Sequence, residues 1–142
     1  MRDDMTIEAY PLRSSDKIRY ADTDRQGHVN NATFSTFLET GRVELLYGAA
    51  GPLAEPGAAF VIARLVLDFR AEIRWPGEVV IGTRVAKVGR SSVSLEQALF
   101  QNGACVATAE TVIVLMDEAT RRSRPLSEAA AARFAALLAP AA

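Results

Sequence analysis

The sequence predicts an α+β protein in which a curved antiparallel sheet wraps one long helix. Three observations predict it: a single helix-spaced apolar stripe, four long β-rich runs downstream, and an Asn-Gly pair between the last two runs. From Asn31 or Thr33 to about Tyr47, the residues Phe34, Phe37, Leu38, Leu45 and Leu46 fall on one face of a helix. An asparagine ahead of this stripe suits an N-cap, and Gly48 suits a stop. Gly41 costs about 1 kcal/mol against alanine in mid-helix, so close packing on another backbone is the expected reason for it.

The runs Phe60 to Phe69, Glu78 to Val88, Ser92 to Gln101 and Ala104 to Met116 are rich in valine, isoleucine and leucine. Alternation is clearest from Ala107 and Ala109 through Thr111 to Leu115. Asn102-Gly103 is a strong hairpin signal, because both residues tolerate the positive φ of a tight turn. Ile18 to Tyr20 reads as the end of a first strand, after a loosely held leader over 1–16. Gly51 to Gly57, with Pro52 and Pro56, reads as a loop. Pro125 and Ser127 open an alanine-rich C-terminal helix over 127–139, ending near Leu138. One amphipathic helix cannot cover both faces of such a sheet, so the other face, or an edge, is left for a partner subunit.

At 142 residues the chain is expected to form one domain over 1–142. A formal net charge of -1, from 16 basic and 17 acidic residues, gives no basis for nucleic-acid or anionic-membrane partners. Cys105 is the only cysteine and fits a reducing compartment. The charged N-terminus lacks a signal-peptide pattern, and no run approaches the roughly 20 apolar residues of a spanning helix. A cytoplasmic protein is expected. The sequon at Asn31 to Thr33 is read as chance.

The chemistry is concentrated in Arg19 to Glu39. Asp22, Asp24, Gly27, the only histidine His28, and the amides Asn30 and Asn31 precede the helix stripe directly. A helix start offers unpaired N–H donors and a partial positive charge, so it can hold an oxyanion. A carboxylate beside such donors is equipped to attack a carbonyl.

Tyr20-x-Asp22-x-Asp24-x-x-Gly27-His28-Val29-Asn30-Asn31, followed by Phe34, Glu39 and Arg42, resembles the hot-dog-fold acyl-CoA thioesterases. The nearest subgroup is the 4-hydroxybenzoyl-CoA thioesterase type, which includes the Tol-Pal-linked bacterial thioesterases. The likeness continues through Asp68-Phe69-x-x-Glu72, Gly89-Arg90-Ser91-Ser92, Asp117 and Pro125-Leu126. It implies the hot-dog fold, acyl-CoA hydrolysis without a cofactor or metal, and a homodimer or homotetramer with interfacial active sites. It places the catalytic carboxylate on Asp24 and the oxyanion donor on the backbone N–H of Asn31. His28 is added as a catalytic candidate, and Gly27, Asn30, Arg90, Ser91 and Ser92 as substrate-binding ones. Gly89-Arg90-Ser91-Ser92 is expected nearest the nucleotide phosphates, with Arg121, Arg122 and Arg124 as further cations. Relatives usually carry tyrosine where this chain has Phe34, so that hydroxyl has no counterpart here.

Each residue also has a plainer reading. Asp22 is expected to bond backbone N–H groups in its turn. His28 divides about evenly between facing substrate and shaping the loop. Glu39 is expected to pair with Arg42 one turn along the helix. Asp22-x-Asp24 imitates a calcium loop, but Thr33 stands where its bidentate glutamate belongs. A hot-dog hydratase or dehydratase, and a non-catalytic acyl-CoA binder, are the competing functions.

Overall fold

The computed structural model describes residues 6–49 and 51–139. Strand β1 (Leu12–Lys17) precedes helix α1 (Asn31–Tyr47), then come β2 (Ala58–Phe69), β3 (Glu78–Val88), β4 (Ser92–Gln101), β5 (Ala104–Asp117) and helix α2 (Glu128–Ala135). Short 3-10 turns occupy Ile7–Ala9 and Tyr20–Asp22. The five strands form one sheet in the order β1-β3-β4-β5-β2, and every neighbouring pair is antiparallel.

Alternation decides which face meets the helix. Val79, Ile81, Thr83 and Val85 of β3 are buried with Val93, Leu95, Gln97 and Leu99 of β4. Phe34, Phe37 and Leu38 of α1 pack with Ile81 and Leu99, while Leu45 and Leu46 pack with Val85, Val93 and Leu95. Register shifts between Ile62 and Arg64, Val85 and Lys87, and Leu99 and Phe100 interrupt three of the ladders. Such bulges bend and twist a strand, which lets the sheet curve around α1.

The expected hairpin is present: Asn102 and Gly103 have φ of 51° and 81°, between the pair Gln101 and Ala104. Three expectations need correction. The first strand ends at Lys17, and much of the stretch read as leader is structured: Tyr10 is 1% exposed and its ring lies 4.5 Å beneath the Arg84 guanidinium. Residues 1–5 of that leader lie outside the described residues. Helix α2 stops at Ala135, because the chain then turns to bond β3 as an extended tail. Val85 N–H donates to the Leu137 carbonyl (2.8 Å) and Ala139 N–H to the Val85 carbonyl (2.7 Å). Position 140 and beyond are not described.

The third correction concerns Gly41. It faces side chains, not backbone: an added Cβ would sit 2.8 Å from Gln97 Nε2, 2.8 Å from Ile81 Cγ2 and 3.0 Å from Thr83 Oγ1. Gln97 is buried and donates through Nε2 to the Leu38 carbonyl (3.0 Å) and to Thr83 Oγ1 (3.0 Å). The missing side chain makes room for an amide that ties helix to sheet.

Candidate active site

The loop between Asp22 and Asn30 is held at both ends. Asp22 is buried, and its carboxylate accepts from Arg19 N–H (2.8 Å) and from Arg19 Nη2 (2.8 Å). Burial pushes this carboxyl up, but the hydrogen bonds and charge of Arg19 outweigh it and hold the group below the usual carboxylate range. Its carbonyl accepts from Asn30 N–H (2.8 Å), and Val29 N–H donates to the Ile73 carbonyl (2.8 Å). Asp22 is therefore structural, as its turn position predicts. Both of its carboxylate oxygens are engaged by Arg19.

Within this frame Asp24 shapes its own turn. Its N–H donates to the His28 carbonyl (2.9 Å), its carbonyl accepts from Gly27 N–H (3.0 Å), and its Oδ1 accepts from Gln26 N–H (2.8 Å). Gly27 adopts φ +87°, a left-handed conformation that costs glycine little. Asn30 then caps α1, its Oδ1 accepting from Ala32 N–H (2.9 Å) and its carbonyl from Thr33 N–H (2.9 Å). Among the described residues this leaves the Asn31 N–H as the first-turn donor with no protein acceptor.

Asp24, His28 and Asn31 line one cleft of about 450 Å³. Its apolar side is built by Val29, Phe34 and Phe69, the two rings meeting edge to face at 4.9 Å. Gln26, Arg70, Ala71 and Glu72 complete it. His28 Nε2 lies 3.8 Å from Glu72 Oε1, and Arg74 Nη2 holds Glu72 Oε2 at 2.6 Å. Gly27 and Asn30 sit beside the cleft as turn and cap residues.

Arg90, Ser91 and Ser92 do not join this site. Arg90 and Ser91 lie in the β3–β4 turn and Ser92 opens β4; there Leu115 N–H donates to the Ser91 carbonyl (2.8 Å) and Leu126 N–H to the Arg90 carbonyl (2.9 Å). Ser92 pairs with Val114, whereas Phe69 at the cleft pairs with Ala107. Those seven positions along β5 correspond to roughly 23 Å at a strand's rise. The cationic segment 121–124 borders the same far end, and Arg124 is paired there with Glu55 (3.1 Å) and Asp117 (3.2 Å). The expected Glu39–Arg42 pair is replaced by a contact of 3.4 Å from Arg42 Nη1 to Gln97 Oε1. Burial lowers the Arg42 pKa, with the charge of Glu39 opposing it from a distance.

The cleft residues not named as site candidates are Gln26, Val29 and Phe34, with Phe69, Arg70, Ala71 and Glu72 at and just after the end of β2. Val29, Phe34, Phe69 and Glu72 belong to the motifs that carry the resemblance, which is their signal, whereas Gln26, Arg70 and Ala71 have none beyond an ordinary loop.

Fold and cleft together define an α+β hot-dog protein with a carboxylate site at the amino end of its central helix. The chain belongs to the Thioesterase-like superfamily, whose family model matches residues 18–134. It is similar to the acyl-CoA thioester hydrolase YbgC of Escherichia coli O6:H1, 26% identical over 133 residues covering 91% of this chain and 96% of the relative. Among solved structures, it is similar to the PA5185 protein of Pseudomonas aeruginosa PAO1, with TM-score 0.85, 27% identity and coverage of 96% and 98%. A thioesterase of Thermus thermophilus, crystallised with coenzyme A and Zn, matches with TM-score 0.76, 33% identity and coverage of 92% and 96%. Among the described residues no helix is long and apolar enough to cross a membrane.

Proposed function

We propose that this protein is a cytoplasmic, single-domain acyl-CoA thioesterase of the 4-hydroxybenzoyl-CoA thioesterase type. The observation that carries the reading is the shared cleft: the Asp24 carboxylate and the open Asn31 N–H line one space beside an apolar wall. The names of the relatives support the substrate class.

In this reading Asp24 works on the thioester carbonyl carbon, directly or through a water. Attack by the carboxylate gives a tetrahedral intermediate whose oxyanion takes the Asn31 N–H. The C–S bond then breaks and CoA leaves as thiolate, which needs little acid assistance. Water hydrolyses the resulting anhydride and restores Asp24. If Asp24 instead acts as base, it takes a proton from water, and the same oxyanion collapses to acid and thiolate. One preorganised backbone donor is worth about 3 kcal/mol of transition-state stabilisation.

The active unit we propose is a homo-oligomer. Strand β2 forms a sheet edge and exposes Val61 and Ile62, at 37% and 50%, toward one end and Phe69, at 52%, at the other. An unpaired apolar edge of this length favours pairing with a second copy. Arg90 lies at the far end of the sheet from Asp24, and in this reading it meets the nucleotide from the neighbouring copy.

The test is a panel of acyl-CoAs assayed with a thiol-trapping dye on wild type and Asp24→Ala. Thiol release by wild type and none by the folded variant is expected. Unchanged turnover in the variant would remove Asp24 from the mechanism.

A further inference from the structure

We propose that Glu72 is a positioning residue for His28, holding a proton on the cleft-facing Nε2 so that the ring meets substrate as a donor. The inference rests on the hydrolase reading and deepens it.

Both nitrogens of the His28 ring face acceptors. Nε2 faces Glu72 Oε1 at 3.8 Å, and Nδ1 faces the Val29 carbonyl at 3.4 Å. A neutral imidazole carries one N–H and one bare nitrogen, so the stronger acceptor decides which edge keeps the proton. A carboxylate is the stronger of these two. Arg74 occupies the other oxygen of Glu72 at 2.6 Å, which fixes the carboxylate with Oε1 toward the ring.

At 3.8 Å the Nε2–H is biased by charge without being consumed in a short hydrogen bond. It remains free to turn to a carbonyl oxygen or sulfur as negative charge grows there. His28 and Glu72 line the same cleft as Asp24, so the donor is on the side where the thioester binds. A glutamine at position 72 would reverse the bias. Its amide N–H donates to a bare Nε2, and the ring proton moves to Nδ1 opposite the Val29 carbonyl.

His28 is the only histidine in the chain, so uniform 15N-histidine labelling gives the NMR signature of one imidazole. In wild type Nε2 is expected to be protonated, and in Glu72→Gln the proton is expected on Nδ1 alone. The Gln variant should lower kcat about tenfold or more with KM nearly unchanged, the pattern of an interaction made in the transition state. Glu72→Asp keeps the carboxylate and should restore Nε2–H together with part of kcat.

An unchanged ring pattern in Glu72→Gln would overturn the proposal. So would a proton switch with full kcat, or equal losses in the Asp and Gln variants. Failure of the hydrolase reading looks different, since wild type would then release no thiol from any acyl-CoA. The ring-proton measurement would still decide whether Glu72 governs His28.

Discussion

At one end of the sheet, α2 lays Phe134 against Phe60 with ring centroids 5.7 Å apart, and the tail after it bonds β3 at Val85. Leu45, Leu46, Val85, Val93 and Ile113 close that core within a single chain. At the other end, β2 runs out at Phe69, which is half exposed, and the 22–30 loop stands open around Asp24. One end thus completes its packing with its own C-terminal helix. The other carries carboxylates, an imidazole and an open helix start, groups that packing alone would not select. The difference teaches that stability and chemistry are separated along one sheet, and that the residues of each end should fail in different assays.

The largest expected effect tests the open end. Asp24→Asn should cut thioester turnover by about 10³-fold, in line with loss of a positioned acid–base or nucleophilic group. Its melting temperature should stay close to wild type, because the Asn side chain can still accept from Gln26 N–H. A large fall in melting temperature would mean that Asp24 belongs to the structural frame, as Asp22 does.

The closed end should give the reverse pattern. Phe134 is fully buried among Leu45, Val85 and Phe60. Phe134→Ala should cost about 3 to 5 kcal/mol in denaturant unfolding. At a temperature where the variant is folded, kcat should be within about twofold of wild type. A strong kcat loss in the folded variant would break the division between the ends.

This division also explains how much is legible in the sequence. Local signals survive: the stripe from Phe34 to Leu46, the Asn102-Gly103 hairpin and the strand bounds of β3 and β4 depend on neighbours in the chain. The group Asp24, His28 and Asn31 is legible for the same reason, since one short loop and one helix start hold all three. Glu72 and Phe69 enter the sequence reading only through the Asp68-Phe69-x-x-Glu72 likeness, because their place beside His28 and Phe34 comes from sheet order, with β2 returning next to β5. Arg90 is a different case: its resemblance to a phosphate-facing segment is local, whereas its separation from Asp24 is set by the length of β5. The strand at Leu12–Lys17 reads as leader because Arg13, Ser14, Ser15 and Asp16 give no apolar run, and its pairing with β3 supplies the order instead.

Arg90 sharpens the comparison with a smaller effect. If a second copy brings the far end of its sheet to the open cleft, Arg90→Ala should raise KM for acyl-CoA several-fold and leave kcat alone, as loss of uniform binding does. A truncated acyl thioester lacking the nucleotide should show no change. Equal KM values for wild type and variant on acyl-CoA would keep the two ends functionally apart.

The smallest effect comes from two helix caps, one at each end. Asn30 Oδ1 accepts from Ala32 N–H at 2.9 Å, and Ser127 Oγ accepts from Ala130 N–H at 3.1 Å. Replacing either by alanine should cost about 1 kcal/mol, the usual worth of an N-cap side chain. The stability losses should therefore be similar, and activity should distinguish them. Asn30→Ala leaves the Ala32 N–H free beside Asn31 and loosens the turn that aims the first-turn donor into the cleft, so kcat should fall as well. Ser127→Ala removes the same kind of bond from a helix that touches only the closed core, so kcat should be unchanged once the protein is folded. Matching kcat values in the two variants would mean that the start of α1 serves packing alone, and the oxyanion role of its first N–H would fall with it.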